Sequence, residues 1–254
     1  MAQPTLVLVH GSWHSPQHFE PLITQLRKQG YQTIAVSLPS TQSRSEAPHT
    51  FADDTAAVRE AILAPLDAGE NVLVVAHSYG GAPTSNALRD LSVSARQAEG
   101  KETGIIGVAY LCAALLPAEI SFLDALGGEP MAIHDLSAND GFCTVGEPGP
   151  AHYFYNDLFA DEAEYWSSLL RPQAWIAYED KLTYTPYAEM PVHYLYCTED
   201  QALVIEAQKG MVAQVEAAAR CQVRTEEVQS SHSPFLSMPE RTAEFIRRSA
   251  GEAI

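Results

Sequence analysis

Long apolar runs are missing from this chain of 254 residues. None approaches the roughly 20 consecutive residues that a membrane-spanning helix needs. Basic residues are scarce: 15 Lys and Arg stand against 32 Asp and Glu, a formal net charge of −17. Nucleic acid and anionic membranes are held by clustered Lys and Arg, so a surface of this sign repels both, and neither is expected as a partner. Acidity alone keeps a protein in solution and does not point to a cationic substrate. Cysteine is sparse as well. Cys112, Cys143, Cys197 and Cys221 match neither a zinc spacing nor a C-x-x-C redox pair, and no structural disulfide is expected. Cys112 and Cys197 fall in apolar, strand-like runs, where a free thiol packs as a small hydrophobe. The segment Met1-Ala2-Gln3-Pro4 lacks the basic and apolar regions of a secretory signal, so a soluble, cytoplasmic protein is expected.

What the chain does have is an alternation of apolar runs and amphipathic stretches. Strands are predicted over Thr5 to Val9, Tyr31 to Ser37, Val72 to Val75, Ile105 to Cys112, Val192 to Cys197 and Gln222 to Val228. Helices are predicted over Pro16 to Gln29, Phe51 to Leu66 with Thr50 as cap, Gly80 to Leu91, Ala202 to Ala219 and Pro234 to Ser249. This rhythm implies an α/β fold, a mostly parallel sheet with helices on both faces. The rhythm breaks between about Pro117 and Met190, a stretch rich in aromatics that reads as a cap of residues 117–190 over the sheet's C-terminal edge. The core would then be 1–116 and 191–254. Ligand sites in open α/β sheets lie at that edge. Such aromatics also serve as a cap's own core.

Ala76-His77-Ser78-Tyr79-Gly80 is the most informative stretch. A serine flanked by small residues, between a strand and a helix, is the nucleophile-elbow arrangement; Ala76 takes the place of its usual first glycine. A serine hydroxyl needs an adjacent base. His232, on the loop after the last strand, faces the same sheet edge as the elbow. Asp200 follows the strand before it and gives the chain order Ser78, Asp200, His232. Its neighbour Glu199 is the alternative carboxylate.

The charge that develops on the substrate oxygen needs amide donors. Tyr79, directly after the serine, supplies one. The first strand runs into His10-Gly11-Ser12-Trp13-His14, where Gly11 permits close approach and the Ser12 amide is the natural second donor. Gly11, Trp13 and His14 are candidate substrate-binding residues, and His77 is expected to pack beside the elbow. A metal site from His10, His14 and His18 is disfavoured because Pro16 interrupts the helix that i, i+4 spacing requires, so no metal is expected.

These segments, together with Ser231-His232-Ser233-Pro234, resemble the α/β-hydrolase superfamily, and within it the small branch of plant methyl esterases and hydroxynitrile lyases. The likeness runs from the first strand to the closing helix and is weakest in the cap. It implies an α/β-hydrolase fold with a helical cap inserted before the penultimate strand, and a cofactor-free site between core and cap. By position it implies Ser78 as nucleophile, His232 as base, Asp200 as its partner, and the Ser12 and Tyr79 amides as oxyanion hole. Lyases of the branch tend to carry threonine where this chain has Gly11, and lysine where it has Ser233. Both are absent here, which argues against cyanohydrin cleavage and for ester hydrolysis.

The function expected is hydrolysis of a carboxylic ester or lactone of a small, fairly apolar molecule. One rival keeps the same fold and triad for carbon–carbon cleavage, lyase chemistry, cofactor-free oxygenation or a rearrangement. Another is a receptor or carrier that binds with little turnover. A small-molecule substrate is the expected partner, and a homodimer stays open.

Overall fold

The computed structural model describes residues 3–42, 44 and 47–254. Six strands form the main sheet: β1 Thr5–Val9, β2 Thr33–Val36, β3 Val72–His77, β4 Ile105–Leu111, β8 Val192–Cys197 and β9 Val223–Val228. Their order is β2-β1-β3-β4-β8-β9, and each neighbouring pair is parallel. Because β1, β3 and β8 are buried along their whole length, they read as continuous apolar runs instead of alternating ones. The edge strand β9 differs: its middle residues Arg224 to Glu227 are charged or polar, which discourages edge-to-edge pairing.

The helices follow from the order of the strands. The chain steps from β1 outward to β2, then reverses past β1 to β3 and onward to β9. Right-handed crossovers therefore put α1 (Glu20–Lys28) on one face and α2 (Phe51–Asp67), α3 (Gly81–Ala87) and α8 (Ile205–Ala219) on the other. The closing helices α9 (Pro234–Ser237) and α10 (Pro239–Ser249) pack on α1. Thr50 caps α2, its hydroxyl accepting from the Asp53 amide while Asp53 reaches back to the Thr50 amide.

Several boundaries differ from expectation for local reasons. The closing helix is broken at Met238, because Pro239 offers no amide and disfavours helical backbone in the residue before it. The helix after the elbow ends at Ala87, and Asp90 turns left-handed before Ser92 caps a separate helix, α4 (Val93–Ala98). Helix α8 starts at Ile205, not Ala202, since the Asp200 carboxylate engages the amides of Ala202 and Leu203 at 2.8 Å each. The first helix opens with a 3-10 turn over Pro16–Phe19.

Between β4 and β8 lies the insertion. It holds helices α5 (Phe122–Ala125), α6 (Pro150–Phe154) and α7 (Ala160–Ser168). It also holds a small sheet that the sequence did not suggest: β5 (His134–Asp135), β6 (Phe142–Val145) and β7 (Gln173–Ala174), paired antiparallel. No helix among the described residues is long and apolar enough to cross a membrane.

Candidate active site

Strand β3 ends in a turn that almost no side chains could line. Ser78 itself has φ of +53°, a left-handed conformation that costs a non-glycine residue about 1–3 kcal/mol. A Cβ on Gly80 would meet the His10 carbonyl oxygen at 2.3 Å, and one on Gly81 the Ala114 carbonyl oxygen at 2.4 Å. The Ala114 amide in turn donates to the Ser78 carbonyl at 2.9 Å. The turn is thus clamped from both sides, and the Ser78 hydroxyl is left facing the sheet edge.

Three loops meet there. His232 Nε2 lies 2.8 Å from Ser78 Oγ, and His232 Nδ1 lies 2.6 Å from Asp200 Oδ2. Asp200 and His232 are both buried. A proton on Nδ1 directed at the carboxylate leaves Nε2 free to accept from the serine hydroxyl. Glu199 is engaged elsewhere, accepting from Gln229 Nε2 at 2.7 Å, so it does not compete for the imidazole.

Further residues hold this arrangement that the sequence reading did not single out. Gln208 on α8 donates through Nε2 to Asp200 Oδ2 at 3.2 Å, to the Cys197 carbonyl at 3.1 Å and to the Leu203 carbonyl at 2.7 Å. Its Oε1 accepts the Cys197 amide at 3.1 Å. From the insertion, Asp157 Oδ2 accepts the Ser231 amide at 2.9 Å, Asn156 Nδ2 donates to the Glu199 carbonyl at 3.1 Å, and the Phe154 carbonyl accepts from Ser231 Oγ at 2.8 Å. His77 Nε2 and Cys112 Sγ both donate to the carbonyl of His232.

The loop after β1 lies directly on the serine. A Cβ on Gly11 would stand 2.5 Å from Ser78 Cβ and 3.0 Å from Ser78 Oγ, so no side chain fits there, threonine included. Two histidines grip this loop by its carbonyls: His10 Nδ1 donates to the Gly11 oxygen and His14 Nδ1 to the Ser12 oxygen, both at 2.8 Å. In a planar trans peptide the carbonyl and the next amide point opposite ways. Holding the Gly11 carbonyl therefore aims the Ser12 amide away from His10. Tyr79 sits second in the 3-10 turn Ser78–Gly80, where an amide has no intrahelical acceptor. Its side chain is anchored behind the site, the hydroxyl donating to Asp54 Oδ2 at 2.8 Å. Asp54 also takes the Ser40 amide and hydroxyl, and burial pushes its carboxyl up to about 6.

A cavity of about 250 Å³ opens from Ser78 and His232. Trp13 and Ser12 line it, with Phe122, Leu126, Met131 and Tyr178 from the insertion. Gly11 and His14 do not. His14 is buried in the loop's support, its Nε2 accepting from the Tyr155 hydroxyl at 3.1 Å. Burial lowers His14 and His77 well below the usual histidine range, and brings His10 and His18 down to about 4.

The histidines of the loop do not suit a metal. The lone pairs of His10, His14 and His18 already accept from the Leu38 amide, the Tyr155 hydroxyl and the Ser15 amide. Among the described residues, the one close group of three candidate ligands is His77, Cys112 and His232. The first two point their protons at a backbone carbonyl, and the third is engaged with Ser78 and Asp200.

Comparison with known proteins gives a consistent result. A family model described as the alpha/beta hydrolase family matches residues 6–245. The alpha/beta hydrolase nvfD of Aspergillus novofumigatus is 30% identical over 260 residues, covering 100% of this chain and 99% of that protein. Polyneuridine aldehyde esterase of Rauvolfia serpentina is 24% identical, covering 93% of this chain and 92% of its own. Among solved structures, tomato methylketone synthase I in complex with 2-tridecanone superposes with a TM-score of 0.76 at 18% identity, covering 99% of each chain.

Proposed function

The chain belongs to the alpha/beta hydrolase family, and within it we propose that the protein is a serine hydrolase of carboxylic esters or lactones. The observation that carries this reading is the continuous hydrogen-bonded line from Ser78 Oγ through His232 to Asp200, with distances of 2.8 and 2.6 Å. In the proposed reaction His232 Nε2 takes the hydroxyl proton as Ser78 Oγ attacks the carbonyl carbon. The Ser12 and Tyr79 amides receive the oxyanion, a contribution of about 3 kcal/mol for each such donor. Asp200 stabilises the imidazolium, which then gives its proton to the departing alcohol. Water attacks the acyl-enzyme by the same route and frees the acid. Residues 117–190 act in this reading as the cap that shapes the substrate. The cavity is smaller than the roughly 300–1,000 Å³ of drug-sized ligand sites, and its walls are mostly apolar, which supports a small, fairly apolar substrate. The name of the esterase relative is in keeping with ester cleavage.

The test is chemical labelling joined to kinetics. A fluorophosphonate should attach to Ser78, and Ser78→Ala should abolish p-nitrophenyl acetate hydrolysis while circular dichroism stays unchanged. Full activity in that variant rejects the mechanism. An active protein that never forms a serine adduct would redirect the site to non-hydrolytic chemistry.

A further inference from the structure

Catalysis as proposed leaves one polar side chain of the cavity without a task. Most polar groups at its wall are engaged with protein: Trp13 Nε1 donates to the Cys143 carbonyl at 3.1 Å, and the Tyr178 hydroxyl to Ser12 Oγ. His134 is different. It stands on β5 of the insertion and lines the cavity opened by Ser78 and His232. Its Nδ1 accepts the Met131 amide at 3.1 Å, so the single proton of the neutral ring lies on Nε2. Among the described residues Nε2 has no hydrogen-bond partner. The ring is framed by Trp13, Trp175 and Tyr178, with centroids 5.6, 5.3 and 5.8 Å away. Burial brings its pKa down to about 4, so the ring carries no charge near neutral pH.

His134 is half-buried, so an N–H with no protein acceptor on a ring at this mostly apolar wall is open to an acceptor that a ligand brings. A carboxylate would have to shed its hydration in this mostly apolar cavity, whose lining holds no Lys or Arg, so the natural acceptor is an uncharged oxygen. A line of packed rings joins this donor to the base through Trp13. Its ring is 5.6 Å from both His134 and Phe154, and Phe154 is 5.7 Å from His232.

We propose that His134 determines specificity by donating from Nε2 to a second, uncharged oxygen of the substrate, a ketone, ether or hydroxyl oxygen on the part that rests against the insertion. This rests on the hydrolase reading above and narrows its substrates to esters or lactones carrying a further oxygen several bonds from the carbonyl attacked. An all-hydrocarbon acyl chain would leave the donor empty.

Methyl hexanoate and its 3-oxo, 4-oxo and 5-oxo derivatives test this by calorimetric titration of Ser78→Ala, which holds esters without cleaving them. One oxo isomer should bind about fivefold more tightly relative to methyl hexanoate than it does in Ser78→Ala/His134→Phe, as one neutral hydrogen bond implies. His134→Gln, which keeps an N–H donor, should recover part of that preference. In Ser78→Ala alone, the Nε2 proton resonance of His134 should shift with that isomer and not with methyl hexanoate. This readout holds even if His134→Phe fails to fold. Ratios and resonance untouched for every isomer overturn the proposal. Turnover by the unaltered protein separates the two readings. Cleavage of these esters with no dependence on His134 leaves the hydrolase standing alone. Dependence on His134 without cleavage leaves the recognition site standing and removes the hydrolase.

Discussion

Gln208 secures the carboxylate end of the Ser78–His232–Asp200 hydrogen-bonded line with a single amide. It joins both backbone groups of Cys197, at the end of β8, to the Leu203 carbonyl and to Asp200 itself. Replacing it with leucine keeps the volume and removes all four hydrogen bonds. Gln208→Leu should lower kcat about tenfold with KM little changed, because a loosened carboxylate no longer fixes the imidazole; this magnitude equals roughly one hydrogen bond to a charged group. Steady-state kinetics on p-nitrophenyl acetate decide it, and an equal rise in KM would point to a distorted cavity instead. The meeting of Ser78 and His232 at the sheet edge was legible in the sequence because it follows from chain position, a strand end followed by small residues or by a proline-started helix. Gln208 was not, since it reads as one more polar residue on a helix. The available signal was its place on the buried stripe of α8 with Val212 and Val215, where glutamine is out of pattern. His14 departs from expectation for a related reason: it follows Trp13, which does line the cavity, but its ring turns back into the loop.

At the level of elements, the connection between α6 and α7 reaches down from the insertion to the loops of Asp200 and His232. Asn156 holds the loop of Asp200 through the Glu199 carbonyl, and Asp157 holds the loop of His232 through the Ser231 amide. Asp157→Ala would leave that amide buried without an acceptor, a loss of about 1–3 kcal/mol. A protein of this size should then melt about 3–8 °C lower, and kcat should fall several-fold as the histidine loop loosens. Asp157→Asn, which still offers an oxygen, should restore most of both. Thermal melts and kinetics on the pair of variants check this, and equal behaviour of the two would deny the role of the acceptor. The sheet was readable because its strands are long apolar runs between helices. The interior of the insertion was not. Strands of two residues, such as β5 and β7, carry no periodicity, and its aromatics serve wall and core alike.

For the molecule as a whole, the buried histidines set a lower limit of pH. His10 and His18 are held at about 4 by burial, against about 6.5 for a free histidine, and His14 and His77 are shifted the same way. Between those values the unfolded chain takes up protons that the folded one refuses, so stability falls as pH drops through 6.5 and levels off below about 4. At pH 5 each of the first two costs about 2 kcal/mol. Asp54 acts in the opposite direction. Its carboxyl is raised to about 6, so its contribution is largest at low pH, is lost as pH rises through 6, and returns about 1 kcal/mol at pH 5. The histidines outweigh it, since burial also brings His134 and His193 down to about 4, and the melting temperature should fall by at least about 10 °C between pH 7.5 and pH 5. A melting temperature that holds or rises over that range contradicts neutral burial of these rings. The division of labour between sheet and insertion has a longer-term meaning. The atoms proposed to react hang from strand ends that neighbouring backbone allows little room to vary, whereas Phe122, Leu126, Met131 and His134 belong to a segment outside the main sheet. On the proposed mechanism, a descendant of this chain is free to acquire a new diet by altering those walls while inheriting its chemistry unchanged. The short tether at 154–157 is where that freedom stops, because a mutation there is felt by both inheritances at once.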